Sequence, residues 1–122
     1  MKDQTLYLKD AIELIEHILS RLQNVDEPTF KSNCDLQDSI VLQIIYLGEA
    51  LNRTSQDFRN QHPNIPWFEA IGMRHRLAHD YGNVDIDQVW LTVREDLPLL
   101  LRQLKDSDNQ TPSYPTSSIN SP

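Results

Sequence analysis

Between Asp3 and Gln23 the apolar side chains Leu8, Ala11, Ile12, Ile15, Ile18, Leu19 and Leu22 recur at intervals of three and four, while Lys9, Glu13, Glu16 and Arg21 fall off that stripe. A period near 3.6 places the apolar set on one face of a helix, and that face must be buried against a neighbour. The same spacing returns in Ile40, Val41, Ile44, Ile45, Gly48 and Leu51, on a helix running from about Ser32 or Asp35 to about Arg53. It appears again in Val93, Leu97, Leu100, Leu101 and Leu104. With only three Gly in 122 residues and no period of two, the pattern predicts an all-α fold. The expected architecture is an antiparallel bundle of four main helices plus one short helix. A chain of this length forms one domain able to bury roughly two thirds of its unfolded surface.

Punctuation sets the expected boundaries. Pro28 in "NVDEPTF" separates the first two helices. Thr54 with Asp57 resembles a capping box that opens a short helix through about Asn60, and "HPNIPW" stops it. Pro66 suits the first turn of a further helix. That helix is expected to carry Trp67, Ala70, Ile71, Leu77 and Ala78 inward and to end near Tyr81 and Gly82. Asp85 with Gln88, and Val84 with Val89, announce the last helix, in which Pro98 forces a kink or a restart. Gly48 costs a helix about 1 kcal/mol relative to Ala, so its presence in mid-helix suggests close approach of another backbone. The domain is expected to span 1–105, and the Ser-, Pro-, Asn- and Thr-rich residues 106–122 to form a disordered tail.

Charge and cysteine content narrow the chemistry. Eighteen acidic against eleven basic residues give a net charge of −7, which disfavours nucleic-acid binding over the whole surface, so any such site must be local. The single Cys34 excludes an internal disulfide and any multi-cysteine metal site. Met1 to Ser20 lack the order of a signal peptide, and no run reaches the roughly 18 apolar residues of a membrane span. A soluble cytoplasmic protein without membrane partners is the expectation.

One stretch breaks the pattern of ordinary packing helices. "GMRHRLAHDYGNVD", Gly72 to Asp85, holds two Arg, two His, a Tyr and two Asp. On a continuous helix Arg74 and Tyr81 would fall within about 20° of each other and on the inward stripe, with His79 about 140° from Arg74. An inward Arg needs a partner or a cleft, and Glu49 on the second helix is a plausible partner. Three readings are open. Arg76 and Asp80 could be a plain i,i+4 surface pair and Arg74–Glu49 a structural contact. His75 and His79, also i,i+4, could ligate zinc, with a third ligand from His17, His62 or Asp80; Arg76 stands where a metalloprotease would carry its general base. Finally, Arg for a phosphate, His for a proton and Tyr for a hydroxyl are a minimal kit for cutting RNA without a metal.

Arg74, four residues, His79, one residue, Tyr81 reproduces the R-x4-H-x-Y motif of the HEPN superfamily in the form of HepT-like toxins. "YLGEALNR", "HPNIPWFEAIGMRHRLAHDYGNVD" and "VWLTVREDLPLL" resemble further segments of that family in the same order, and the resemblance covers the chain up to Lys105. His75 stands where relatives often carry Asn, and Leu47 where many carry Ile. The resemblance implies a metal-independent ribonuclease toxin that needs no cofactor and works as a homodimer with a composite cleft. Arg74 would hold the scissile phosphate and His79 would serve as general acid or base for attack by the ribose 2′-hydroxyl, with His75, Arg76 and Glu49 in support. It also implies a partner, an MntA-like nucleotidyltransferase antitoxin that silences the toxin by transferring AMP to Tyr81. The alternative is a HEPN module that binds nucleotide or RNA, or scaffolds the nucleotidyltransferase, without cutting.

Overall fold

The computed structural model describes residues 3–80 and 83–110, the side chains of 78–80 and 110 excepted. The order is α1 Gln4–Arg21, α2 Glu27–Lys31, α3 Cys34–Asn52, α4 Gln56–Gln61, α5 Trp67–Ile71, α6 Met73–Leu77, β1 Ala78–Asp80, β2 Asn83–Val84, α7 Ile86–Leu91, a π-helical turn Thr92–Asp96 and α8 Leu97–Gln110. The all-α expectation holds, with one small hairpin added. None of the described helices is long and apolar enough to cross a membrane.

Helix α1 lies between α3 and α8. Its stripe supplies Leu8, Ala11, Ile15 and Ile18, all fully buried, against Ile40, Ile44, Leu47 and Leu51 of α3 and Leu97, Leu100 and Leu104 of α8. Each such side chain stabilises the fold by roughly 1.5–3 kcal/mol through burial. The helix starts are fixed by short polar side chains that accept otherwise orphaned backbone N–H groups. Asp3 takes Thr5, Asp26 takes Thr29, Asn33 takes Leu36, Ser55 takes Phe58 and Asp85 takes Gln88, at 2.9–3.1 Å. Ser55, not Thr54, therefore caps α4; the Thr54 hydroxyl instead donates to the Leu51 carbonyl at 2.6 Å.

The segment around Pro28 is not merely a break. Pro28 sits in the first turn of α2, where its missing N–H costs nothing, and the helix seats Phe30 fully buried with its ring 5.4 Å from that of Trp90. Gln37 of α3 locks α2 in place by donating from Nε2 to the carbonyls of Phe30 and Lys31. Pro98 is accommodated by the widened π turn immediately before α8, which relieves the clash a proline ring makes with the carbonyl four residues earlier. Arg94, within that turn, donates to the carbonyls of Leu22 and Val25 and stacks 4.3 Å from the Trp90 ring.

Two boundaries differ from expectation. Helix α8 runs to Gln110, five residues into the stretch expected to be a tail, because it still has contacts to make. Ser107 is fully buried and donates to Asn64 at 3.2 Å, while Asp108 pairs with Lys9 at 3.0 Å. Residues 111–122 lie outside the described residues. The helix expected from Pro66 to Tyr81 is instead divided at Gly72, which caps α5 at φ −84°, ψ 4°, and it stops at Leu77. There the Leu77 carbonyl accepts the Asp85 amide and the chain enters β1, paired antiparallel with β2 through Ala78 with Val84 and Asp80 with Asn83.

Candidate functional site

The close approach expected at Gly48 is present: a Cβ there would stand 3.2 Å from the Ile71 carbonyl oxygen. This contact sets the end of α5 directly on α3 and fixes where the chain turns at Gly72. A Cβ on Gly72 would likewise meet the Phe68 carbonyl at 3.2 Å. The break at Gly72 resets the helical phase, so Met73 and Leu77 take the core positions and Arg74, His75 and Arg76 are exposed. Arg74 is therefore not on an inward stripe.

Arg74 and His75 line an open groove of about 930 Å³ with Asn52, Gln56, Arg59, Asn60, Pro63, Trp67, Phe68, Ile71 and Gly72. Among the described residues the lining holds two guanidinium groups and an imidazole but no carboxylate, in a chain of net charge −7. Such a patch can attract a phosphate locally where the molecule as a whole repels it. Arg59 is held rigidly: Nε donates to Thr54 Oγ1 at 2.9 Å, Nη2 donates to the Asn52 carbonyl at 2.9 Å, and the guanidinium lies 6.0 Å from the Trp67 ring. Arg74 makes no ion pair with a carboxylate among the described residues, which leaves its planar donor fork for a ligand.

The groove floor is set by the "HPNIPW" loop. His62 is buried against the Phe58 ring at 4.5 Å, and its carbonyl accepts both the Ile65 amide and Trp67 Nε1. Ile65 is buried and Asn64 is held by Ser107 of α8. A loop pinned at both ends delivers Trp67 and Phe68 to the groove at a fixed angle.

The other expected site residues are distributed differently. Glu49 does not reach Arg74. One residue beyond Gly48, it is turned about 100° away from α5 and lines a separate groove with Asp10, Glu13 and His17 of α1. Arg76 faces another side and pairs with Asp96 at 3.4 Å; the side chain of Asp80 lies outside the described residues, and the continuous helix on which an i,i+4 pair with it was expected ends at Leu77. The same ending removes the helical i,i+4 relation of His75 and His79 on which the zinc reading rested, and the described residues hold no trio of His, Cys, Asp or Glu spaced for a metal. His79 belongs to β1, immediately after α6, and its side chain is outside the described residues, as is Tyr81 altogether. The sequence pattern does not single out Arg59, Asn52, Asn60 or Phe68 as site residues. Phe68 carried a visible signal, being an aromatic off the Trp67–Ala70–Ile71 stripe.

Residues 8–107 match the sequence profile of the family described as Ribonuclease HepT-like. A relative from Thermococcus cleftensis, carrying the provisional name ribonuclease HepT, is 36% identical over 94 residues, covering 77% of this chain and 86% of the relative. Relatives from Methanocaldococcus jannaschii and Caldanaerobacter subterraneus subsp. tengcongensis, both provisionally named as RNases, are 28% and 29% identical and cover 85% and 87% of this chain and 95% of their own. No solved structure matches the chain. With 100 consecutive positions matched, the chain belongs to the HepT-like ribonuclease family.

Proposed function

We propose that this chain is a metal-independent ribonuclease toxin whose R-x4-H-x-Y residues Arg74 and His79 cut RNA. The observation that carries the reading is Arg74, exposed without a carboxylate partner among the described residues, at the edge of a groove whose described lining is cationic and free of carboxylates. In the proposed reaction the ribose 2′-oxygen attacks the adjacent phosphorus and the bond to the 5′-oxygen breaks. The 2′-proton passes to an imidazole and the leaving 5′-oxygen gains one. Arg74 stabilises charge on the phosphoryl oxygens and His79 moves the proton. His75, at the groove beside Arg74, adds a second donor.

The reading includes a homodimer with two motif segments facing each other. Its support is the exposed apolar side of α3, where Leu42 and Tyr46 are about half exposed and Val84 of β2 lies on the same groove as Leu42 and Ile45. A second copy seated there would adjoin the hairpin that carries His79. It further includes a nucleotidyltransferase antitoxin of the MntA type, which would place AMP on Tyr81 and put a phosphate near Arg74 in competition with RNA. A toxin acting on cellular RNA works in the cytoplasm.

The decisive experiment is cleavage of purified total RNA by the parent chain, Arg74→Ala and His79→Ala, each with and without a chelator, alongside the helical circular dichroism of each protein. Cleavage by the parent alone, unchanged by chelator, supports the proposal. RNA binding without cleavage by the parent selects the non-catalytic module instead, and cleavage lost on chelation overturns metal independence.

A further inference from the structure

Phe68 is 87% exposed, more than any other large apolar side chain among the described residues. Its neighbour Trp67 is committed to the fold: the indole N–H donates to the His62 carbonyl and the ring meets Phe58 edge-on at 6.2 Å. One residue on, about 100° further round the helix, Phe68 contributes nothing to that core, yet the pinned loop presents it to the same groove as Arg74. The groove also offers the amides of Asn52 and Asn60, which can hydrogen-bond base edges, and the fixed charge of Arg59.

We propose that Phe68 is a stacking platform for an unpaired nucleobase, so that the groove takes single-stranded RNA, the base on Phe68 and the backbone phosphate on Arg59 and Arg74. The proposal rests on the ribonuclease reading and names its substrate class. A ring face beside cations and side-chain amides is the combination by which single-stranded nucleic acid is held, and a base paired in a duplex cannot present its face to it. A second copy of this chain is a weaker occupant. The exposed apolar residues Leu42 and Tyr46 of α3 lie about 200–240° round that helix from Gly48, away from this groove, and offer a subunit contact of their own.

The test uses an oligonucleotide of 2′-O-methyl residues carrying 2-aminopurine, single-stranded or annealed to its complement. It lacks the attacking hydroxyl, so binding is read independently of cleavage. The parent chain should quench the single strand and bind it more tightly than the duplex. Phe68→Ala should weaken binding about ten-fold or more and abolish the quench, Phe68→Leu should behave like Ala, and Phe68→Trp should restore both. Equal binding by Phe68→Ala or Phe68→Leu, or preference of the parent for the duplex, overturns the platform. So does sedimentation of Phe68→Ala as a smaller species than the parent, which would make the ring a subunit contact. Cleavage of natural RNA by the parent, measured in parallel, separates the two ideas: cutting that is indifferent to Phe68 removes the platform and leaves the ribonuclease. Single-strand binding without any cutting removes the ribonuclease and leaves the platform.

Discussion

A methyl group on Gly48 would stand 3.2 Å from the carbonyl oxygen of Ile71, so the position of the Arg74 turn is set by how closely α3 and α5 approach. Gly48→Ala gains about 1 kcal/mol of helix propensity and offsets it by pushing on the Ile71 backbone. Its net stability should change little while RNA cleavage falls, since the displaced turn carries Arg74. Gly48→Val adds two more carbons to the same contact and should cost about 1–3 kcal/mol. Thermal unfolding and initial cleavage rates measure both. An active, equally stable Gly48→Val protein would show that the spacing is not under constraint.

Phe30 is fully buried against Trp90 on a helix of five residues. Phe30→Ala should destabilise by roughly 3–5 kcal/mol, the usual cost of an emptied aromatic site, and should release α2 from α3 and α7. Denaturant unfolding monitored by tryptophan fluorescence reads this directly. A loss below about 1 kcal/mol would mean that α2 is not part of the core.

These two positions show what the sequence could and could not reveal. The long helices were legible because α1, α3 and α8 each bury an apolar stripe of helical period, and Gly48 was legible because a mid-helix glycine needs a reason. Phe30 was not, because a lone aromatic within "NVDEPTF" has no periodicity and Pro28 reads equally as a breaker or a first-turn residue. The motif residues were identifiable by type and spacing, but their arrangement was not. The sequence pattern predicts a continuous helix to Tyr81, whereas the turn at Gly72 rephases the chain and the hairpin ends the helix at Leu77. Helical angles drawn from Arg74 to His79 therefore do not apply, and Glu49 faces α1 instead of Arg74.

Lys31 bridges Asp87 at 2.5 Å and Glu27 at 2.9 Å, and hydrogen bonding to Asp87, then to Glu27, raises its pKa above the ordinary 10.5. A raised folded pKa means that the pair stabilises the protein fully below the unfolded value and that this contribution disappears as pH rises through the folded one. The stability difference between the parent and Lys31→Met should therefore be constant at neutral pH and shrink above pH 10.5. Lys31 lies at the surface, so the effect is small and sensitive to salt. A difference that grows with alkalinity would contradict this assignment.

The last prediction concerns the guanidinium of Arg74. Lysine keeps the positive charge but replaces a planar fork with a single ammonium, so it can attract a phosphate without gripping two of its oxygens. If Arg74 only steers RNA to the groove, Arg74→Lys should retain nearly all activity. If it stabilises charge developing on the phosphoryl oxygens, as proposed, kcat should fall about 10²–10³-fold, the scale of losing one positioned donor, while KM changes little because Arg59 still supplies charge to the same groove. Steady-state cleavage of a single-stranded RNA by the parent, Arg74→Lys and Arg59→Lys separates the two roles, with Arg59→Lys raising KM and sparing kcat. A purely KM effect at Arg74 would reduce it to a binding residue and leave proton transfer near His79 as the main chemistry to be explained.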